Sequence, residues 1–296
     1  MPKKLAKALL KQLLPPIAWD AVRHARAVVS PPANGWFECN DGPRAFAKAA
    51  SHWNGAEIAR TYERRWPGYQ RVVSTAVPPV FASETDAFAF DPKVDLFSAA
   101  HLMRQNAILG LVFAVSRAAR QRPGISMLDW GGGVGHQYGL VRALLPDLKL
   151  ETTCFDLPVS VEFGSKHFPE VAFTSDFKCL EQRYDLVVAN GSLHCFEQWE
   201  QVLEQLATAT REFCFITMLP VRLDGPSMVV TQRWINPDGS SYAEPEWFVS
   251  REEVLRKFPS STWKLHRELI CGYSPRIYDS DARVDYRGFL FERVGG

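Results

Sequence analysis

Ile125-Ser126-Met127-Leu128-Asp129-Trp130-Gly131-Gly132-Gly133-Val134-Gly135 is the stretch whose reading decides the fold. A short apolar run ends in a carboxylate and a glycine cluster, and an amphipathic segment from His136 to Leu145 follows at once. That order predicts a buried strand, a tight turn and a helix N-terminus. Glycines let a ligand lie against backbone and permit positive φ. The first helix amides and the helix dipole then face that ligand.

Downstream, strands alternate with helices. Strands are expected at Ile125–Trp130, Leu148–Phe155, Val171–Phe173, Tyr184–Ala189 and Phe213–Met218, with helices at Val159–Phe168 and Glu197–Thr210. Residues 220–249, rich in Pro, Gly and Trp, read as irregular. Ser250 with Glu253 three residues on predicts a capping box opening a short helix to Phe258. Trp263–Ile270 and Tyr286–Val294 are the last two strands. This alternation predicts an α/β fold: a doubly wound, mostly parallel, seven-stranded Rossmann-like sheet with its ligand at the strand C-termini.

Upstream lies a helical extension. Residues 1–34 form a basic arm and linker, 35–122 a mainly helical cap, and 123–296 the ligand-binding domain. Residues 1–30 carry six Lys and Arg against one Asp, although the whole chain is only +1. Leu5, Leu9, Leu13 and Ile17 fall on one side of that arm and its four lysines on the other. Such a helix docks on the protein body or lies on an anionic membrane surface through residues 1–28. Pro43–Ala59 and Asp95–Arg120 are the clearest helices of the cap. The aromatics Trp53, Tyr62, Trp66, Tyr69, Phe81, Phe88 and Phe90 serve as core packing or as pocket lining.

Composition excludes several classes. The near-zero net charge gives no signal for nucleic acid. Six cysteines never form a CxxC pair and mostly sit in apolar runs, as expected of reduced thiols in a cytoplasmic protein. Seven histidines make no metal-ligand spacing, so no metal is expected. No apolar run approaches the roughly 20 residues of a membrane span. Oligomeric state is not encoded in any pattern found.

A dinucleotide fingerprint needs a third glycine where this chain has His136, which argues against an NAD-dependent oxidoreductase or epimerase. Asp129-x-Gly131-x-Gly133-x-Gly135 instead resembles the first motif of class I S-adenosylmethionine-dependent methyltransferases. The resemblance implies a loop around the methionine part of S-adenosyl-L-methionine, with Asp129 suited to its ammonium group. Asp156, 25 residues past Gly131, ends strand two, where a carboxylate can accept both ribose hydroxyls or cap the helix before Pro158. The family pattern assigns the adenine site to Asp176 and Phe177, with Leu157 beside them, and the methionine end to Asn190. His194 resembles the general base of plant-type O-methyltransferases, although Cys195 replaces that motif's Asp; packing beneath the cofactor is an equal alternative.

Residues 125–258 also resemble a bacterial family of S-adenosylmethionine-dependent methyltransferases encoded beside cell-surface polysaccharide genes. Carrying this are the glycine motif, Ala189–Leu193, Met228-Val229-Val230-Thr231-Gln232 and Tyr242–Ser250. Thr217-Met218-Leu219-Pro220 departs from the aspartate and arginine common there, and Trp130 stands where Phe is common. The implied activity is O-methylation of a small-molecule or glycan hydroxyl by a cytoplasmic enzyme, peripheral at the inner membrane face if residues 1–28 bind lipid. Gln232, Arg233, Trp234, Tyr242, Trp247 and Phe248 are expected to wall the substrate or to close the sheet edge. A non-catalytic scaffold on the same fold is the remaining alternative.

Overall fold

A computed structural model describes residues 34–48, 56–73, 99–120, 122–235 and 241–294. The basic segment 1–33 lies outside them, as do Trp53, Phe81, Phe88 and Phe90, so the expectations placed there are not addressed.

The described elements are β1 (Gly35–Glu38), α1 (Arg44–Lys48), α2 (Ala56–Val73), α3 (Ala99–Ala119), β2 (Gly124–Trp130), α4 (His136–Leu144), β3 (Lys149–Phe155), α5 (Pro158–His167), β4 (Ala172–Thr174), β5 (Tyr184–Asn190), α6 (Trp199–Ala209), β6 (Thr210–Arg222), β7 (Met228–Ile235), β8 (Ser241–Ser250), α7 (Arg251–Arg256), β9 (Trp263–Ile270) and β10 (Val284–Arg293). Seven strands run side by side in the order β4-β3-β2-β5-β6-β10-β9. The first five are mutually parallel, and β10 inserts antiparallel between β6 and β9. This is the doubly wound, Rossmann-like sheet that the alternation predicts.

Sequence pattern explains which strands lie centrally. Met127 to Trp130 and Leu186 to Ala189 are all buried, because both faces of a parallel sheet are covered. Successive side chains serve opposite layers. Met127, Leu186, Val188 and Phe215 pack with Leu111 and Val115 of α3 and Val141 of α4. Leu128, Val187, Ala189 and Ile216 pack with Leu203 and Leu206 of α6 and Val254 of α7.

Two regions depart from expectation. The stretch 220–249 holds strands where none is expected: β6 runs on to Arg222, and β7 and β8 form an antiparallel pair from Met228↔Phe248 to Ile235↔Ser241. β8 joins the main sheet through Val221↔Val249 and Arg222↔Ser250. Pro245 argues against a strand by its missing N–H, yet it lies opposite Thr231 in this ladder. The region 35–122 is not helical from its start either, because β1 pairs with β7, Trp36 facing Gln232.

The capping box does not form. Ser250 precedes α7 without a side-chain cap bond. Ser227 Oγ accepts the Ser250 N–H at 2.7 Å, and the Glu253 carboxylate accepts from the Ser227 hydroxyl. The serine before β7 has taken the amide that a capping-box glutamate would bind.

Candidate functional site

The C-terminal ends of β2, β3 and β5, roofed by α2 and α3, enclose a cavity of about 800 Å³. On its floor lie Gly131 to Gly133, Asp156 to Pro158, and Asn190 to Ser192, and Ser175 and Phe177 also line it. Tyr62 and Arg65 of α2 and Arg104 and Ile108 of α3 form the roof, and Met218, Glu244, Pro245 and Glu246 the remaining wall.

The glycine loop is built by backbone. Gly131, Gly133 and Gly135 have φ of 68°, 61° and 86°, the left-handed region that side chains disfavour. Gly131 and Gly132 both donate their amides to the Phe155 carbonyl, at 2.8 and 3.3 Å. At Gly131, Gly132 and Gly135 the missing Cβ atoms make room for protein. A Cβ on Gly131 would sit 2.2 Å from Ser192 Cβ, and one on Gly132 would sit 2.3 Å from Asp129 Oδ2. Gly132→Ala is therefore expected to cost about 2–3 kcal/mol of stability, because Asp129 and Cys154 beneath it are fully buried. Urea denaturation equal to wild type would contradict this.

Asp156 is the hub of the floor. Its Oδ2 accepts the Gly133 N–H at 2.8 Å, and its Oδ1 accepts the Leu157 N–H at 2.7 Å. It does not cap α5, whose N-cap is Leu157 with Pro158 at the first turn. Leu157 itself lies on the cavity wall. Asp156 also lines the cavity.

Other candidates divide. Phe177 is 51% exposed and meets Trp130 and Phe155 edge-on, at 5.4 and 4.9 Å between ring centroids. Asn190 lies on the wall. Asp176 does not; its carboxylate caps the short 3-10 turn Phe177–Glu181 by accepting the Lys178 N–H at 2.9 Å. Gly135 and Asp129 are also absent from the wall. Gly135 packs against Phe168 and Phe173, and Asp129 is fully buried beneath Gly132.

His194 lies off the cavity wall. It sits in the 3-10 turn Leu193–Cys195, buried, and contributes nothing to the cavity wall, whereas Ser192, Cys195 and Phe196 around it do. Burial pushes its imidazole down to about 4. A general base must reach the proton that it removes, so this geometry favours the packing role. The expected substrate wall also shifts. Phe248 is fully buried in a cluster with Val230, Ile277 and Val284, and Trp247 donates its indole N–H to the Glu197 carbonyl at 3.0 Å. The Arg233 guanidinium lies 4.3 Å from the Phe37 ring centroid.

Sequence reading missed His136, Arg65, Arg104, Met218, Glu244 and Glu246. His136 lines the cavity where a dinucleotide site has its third glycine, and Tyr69 donates its hydroxyl to the His136 carbonyl at 2.6 Å. Met218 has φ of 52°, unique for a non-glycine among the described residues, and strain of this kind clusters at working sites. Cys195 is exposed at the cavity wall, within electrostatic reach of the carboxylates of Glu246, Glu244 and Asp156. Among the described residues no His, Cys, Asp and Glu group could hold a metal ion. No helix among them is long and apolar enough to cross a membrane.

No protein-family model matches the sequence, and no curated protein is significantly similar to it. Similar solved structures include an S-adenosylmethionine-dependent methyltransferase from Clostridium acetobutylicum, 10% identical over 64% of this chain and 92% of that one, with a TM-score of 0.40. CalS10, an amino pentose methyltransferase from Micromonospora echinaspora, is 11% identical over 68% and 98%, with a TM-score of 0.42. The N-terminal domain of EvdMO1 with SAH bound is 13% identical over 83% and 99%, with a TM-score of 0.44. Likenesses at this level do not reach function; the strand order and loop geometry stand without them.

Proposed function

We propose that this chain is an S-adenosylmethionine-dependent methyltransferase acting on a hydroxyl of a small molecule or glycan. The carrying observation is Asp156, a carboxylate at the cavity wall that clamps the Gly133 amide of a left-handed glycine loop. Bound there, S-adenosyl-L-methionine supplies an activated methyl group on a sulfonium. Asp156 accepts the ribose hydroxyls. Phe177, Phe155 and Leu157 form an apolar slot for the adenine ring, and Ser175 stands at its edge. Asp176 holds that edge through its turn cap. Gly131 to Gly133 and Asn190 hold the methionine end, while Asp129 and Gly135 support the loop from beneath.

Size agrees with a cofactor and an acceptor together, since about 800 Å³ lies in the upper part of the usual pocket range. The chain's task is to align the acceptor with the methyl carbon, exclude water and receive one proton. Acceptors from cell-surface polysaccharide chemistry are the class that the sequence resemblance favours.

Calorimetry with S-adenosylhomocysteine tests the reading. Micromolar affinity is expected, about −8 kcal/mol, with no binding of NAD. Absence of S-adenosylhomocysteine binding by the wild-type chain would overturn it.

A further inference from the structure

We propose that the outer face of α3 is the docking surface for the chain's own N-terminal segment, residues 3–14. α3 has two distinct faces. Arg104, Ala107, Ile108 and Leu111 line the cavity. Leu102, Leu109 and Phe113 fall on another stripe of the helix and are 37%, 48% and 39% exposed. Ile270, at the end of β9, is 65% exposed and widens that stripe. Two contacts hold β9 beside it. Asn106 donates a side-chain N–H to the Cys271 carbonyl at 3.2 Å, and the His266 ring stacks on Phe113 at 6.2 Å between centroids. Single exposed apolar residues are ordinary, whereas a group of four large ones marks an interaction site.

Where the chain enters the described structure names the occupant. Residues 1–33 lead directly into β1. Trp36 of β1 donates its indole N–H to Glu246 Oε2 at 3.2 Å and lies 6.1 Å from Tyr273 between ring centroids. Tyr273 packs in one cluster with Met103 and Cys271, the chain neighbours of Leu102 and Ile270. The entry point is therefore two side-chain layers from one end of the stripe. In the segment, Leu5, Leu9 and Leu13 recur every four residues, so a helix places them on one face, with Lys3, Lys4, Lys7 and Lys11 on the other. Pro15-Pro16 ends such a helix. Lys3 to Leu14 would span about 17 Å, the same length as Leu102 to Phe113. Residues 15–33 reach up to about 60 Å when extended, enough to lay the segment along α3 in either direction.

Strand addition by a second copy fits this edge less well. β9 carries Lys264 and Arg267, and its register against β10 shifts between Leu290 and Phe291; charge and bulges of this kind discourage edge pairing. Helix packing on the stripe instead buries apolar side chains from both partners and leaves the lysines in water. α3 is then held between the docked segment and the cavity. The proposal involves no cofactor, so its failure leaves the methyltransferase reading untouched.

Limited trypsin cleavage of the full chain, read by mass spectrometry, tests docking, because a protease reaches Lys7 and Lys11 of a docked helix only after local opening. Cleavage there should be at least about ten-fold faster in Leu109→Glu than in the wild type, since a carboxylate on the stripe opposes docking. Val294→Glu, at a comparably exposed residue off the stripe, should cleave like the wild type. Equal rates in Leu109→Glu and the wild type overturn the proposal. p-Benzoylphenylalanine placed at residue 109 of the full chain then identifies the occupant. Photocrosslinks within one chain to residues 3–14 are expected. Crosslinks to residues 74–98, to a second copy or to no protein overturn it. So does rapid wild-type cleavage that only phosphatidylglycerol vesicles suppress, which assigns the segment to a lipid surface instead.

Discussion

Replacing Asp156 by Ala should weaken S-adenosylhomocysteine binding at least about 100-fold. Two charge-assisted hydrogen bonds to ribose, each contributing about 1.5–3 kcal/mol, account for a loss of that size. The substitution also strips the Gly133 amide of its acceptor, which costs about 1–3 kcal/mol of stability if that amide finds no other partner. Asp156→Asn separates the two effects. Its amide oxygen can still receive the Gly133 N–H, so the loop should keep its stability while affinity falls by an intermediate factor. Calorimetry and urea denaturation of both variants read the two quantities independently. Affinity within about three-fold of wild type in Asp156→Ala would remove this residue from the cofactor site.

His194 should dominate the acid limb of stability. In the folded chain burial lowers its imidazole to about 4, from the usual 6.5. Between those values the unfolded chain binds the proton and the folded chain does not. Stability is therefore complete above about pH 6.5 and falls as pH drops toward 4, by about 3 kcal/mol in total for this one group. His194 Nδ1 is buried without a hydrogen-bond partner among the described residues, so little opposes its replacement. His194→Leu should match wild type near pH 7 and exceed it by about 2–3 kcal/mol near pH 4.5 in urea denaturation. S-adenosylhomocysteine affinity should stay within about two-fold, since the residue lies off the cavity wall. An acid limb as steep as that of wild type would mean that His194 does not titrate in this way.

The strand ends were legible in the sequence, whereas the opposite wall of the cavity was not. Ile125 to Gly135 and Cys154-Phe155-Asp156 announce themselves because short-range pattern builds them: an apolar run, then a turn. Glu244 and Glu246 flank a proline, the residue that most strongly argues against a strand, and β7 overrides it by tertiary pairing. Nothing local distinguishes Glu246 from a surface glutamate; its setting comes from Trp36, 210 residues away. The setting of His194 was hidden for a related reason. A 3-10 turn carries neighbouring side chains to different sides, and spacing alone does not say whether residue 194 or 195 faces the cavity. Asp129 and Asp156 end adjacent strands, yet only packing reveals that one is buried under the loop and the other opens onto it.

β1 is expected to pair late in folding. The strands β2 to β5 can assemble from 67 consecutive residues, Gly124 to Asn190. The β1–β7 ladder instead joins residues 35–38 to residues 230–233, a loop closure of high sequence separation and correspondingly slow. The glycine loop and Asp156 can thus be in place before Trp36 arrives. During refolding, ligand affinity would then return before the Trp36–Glu246 contact.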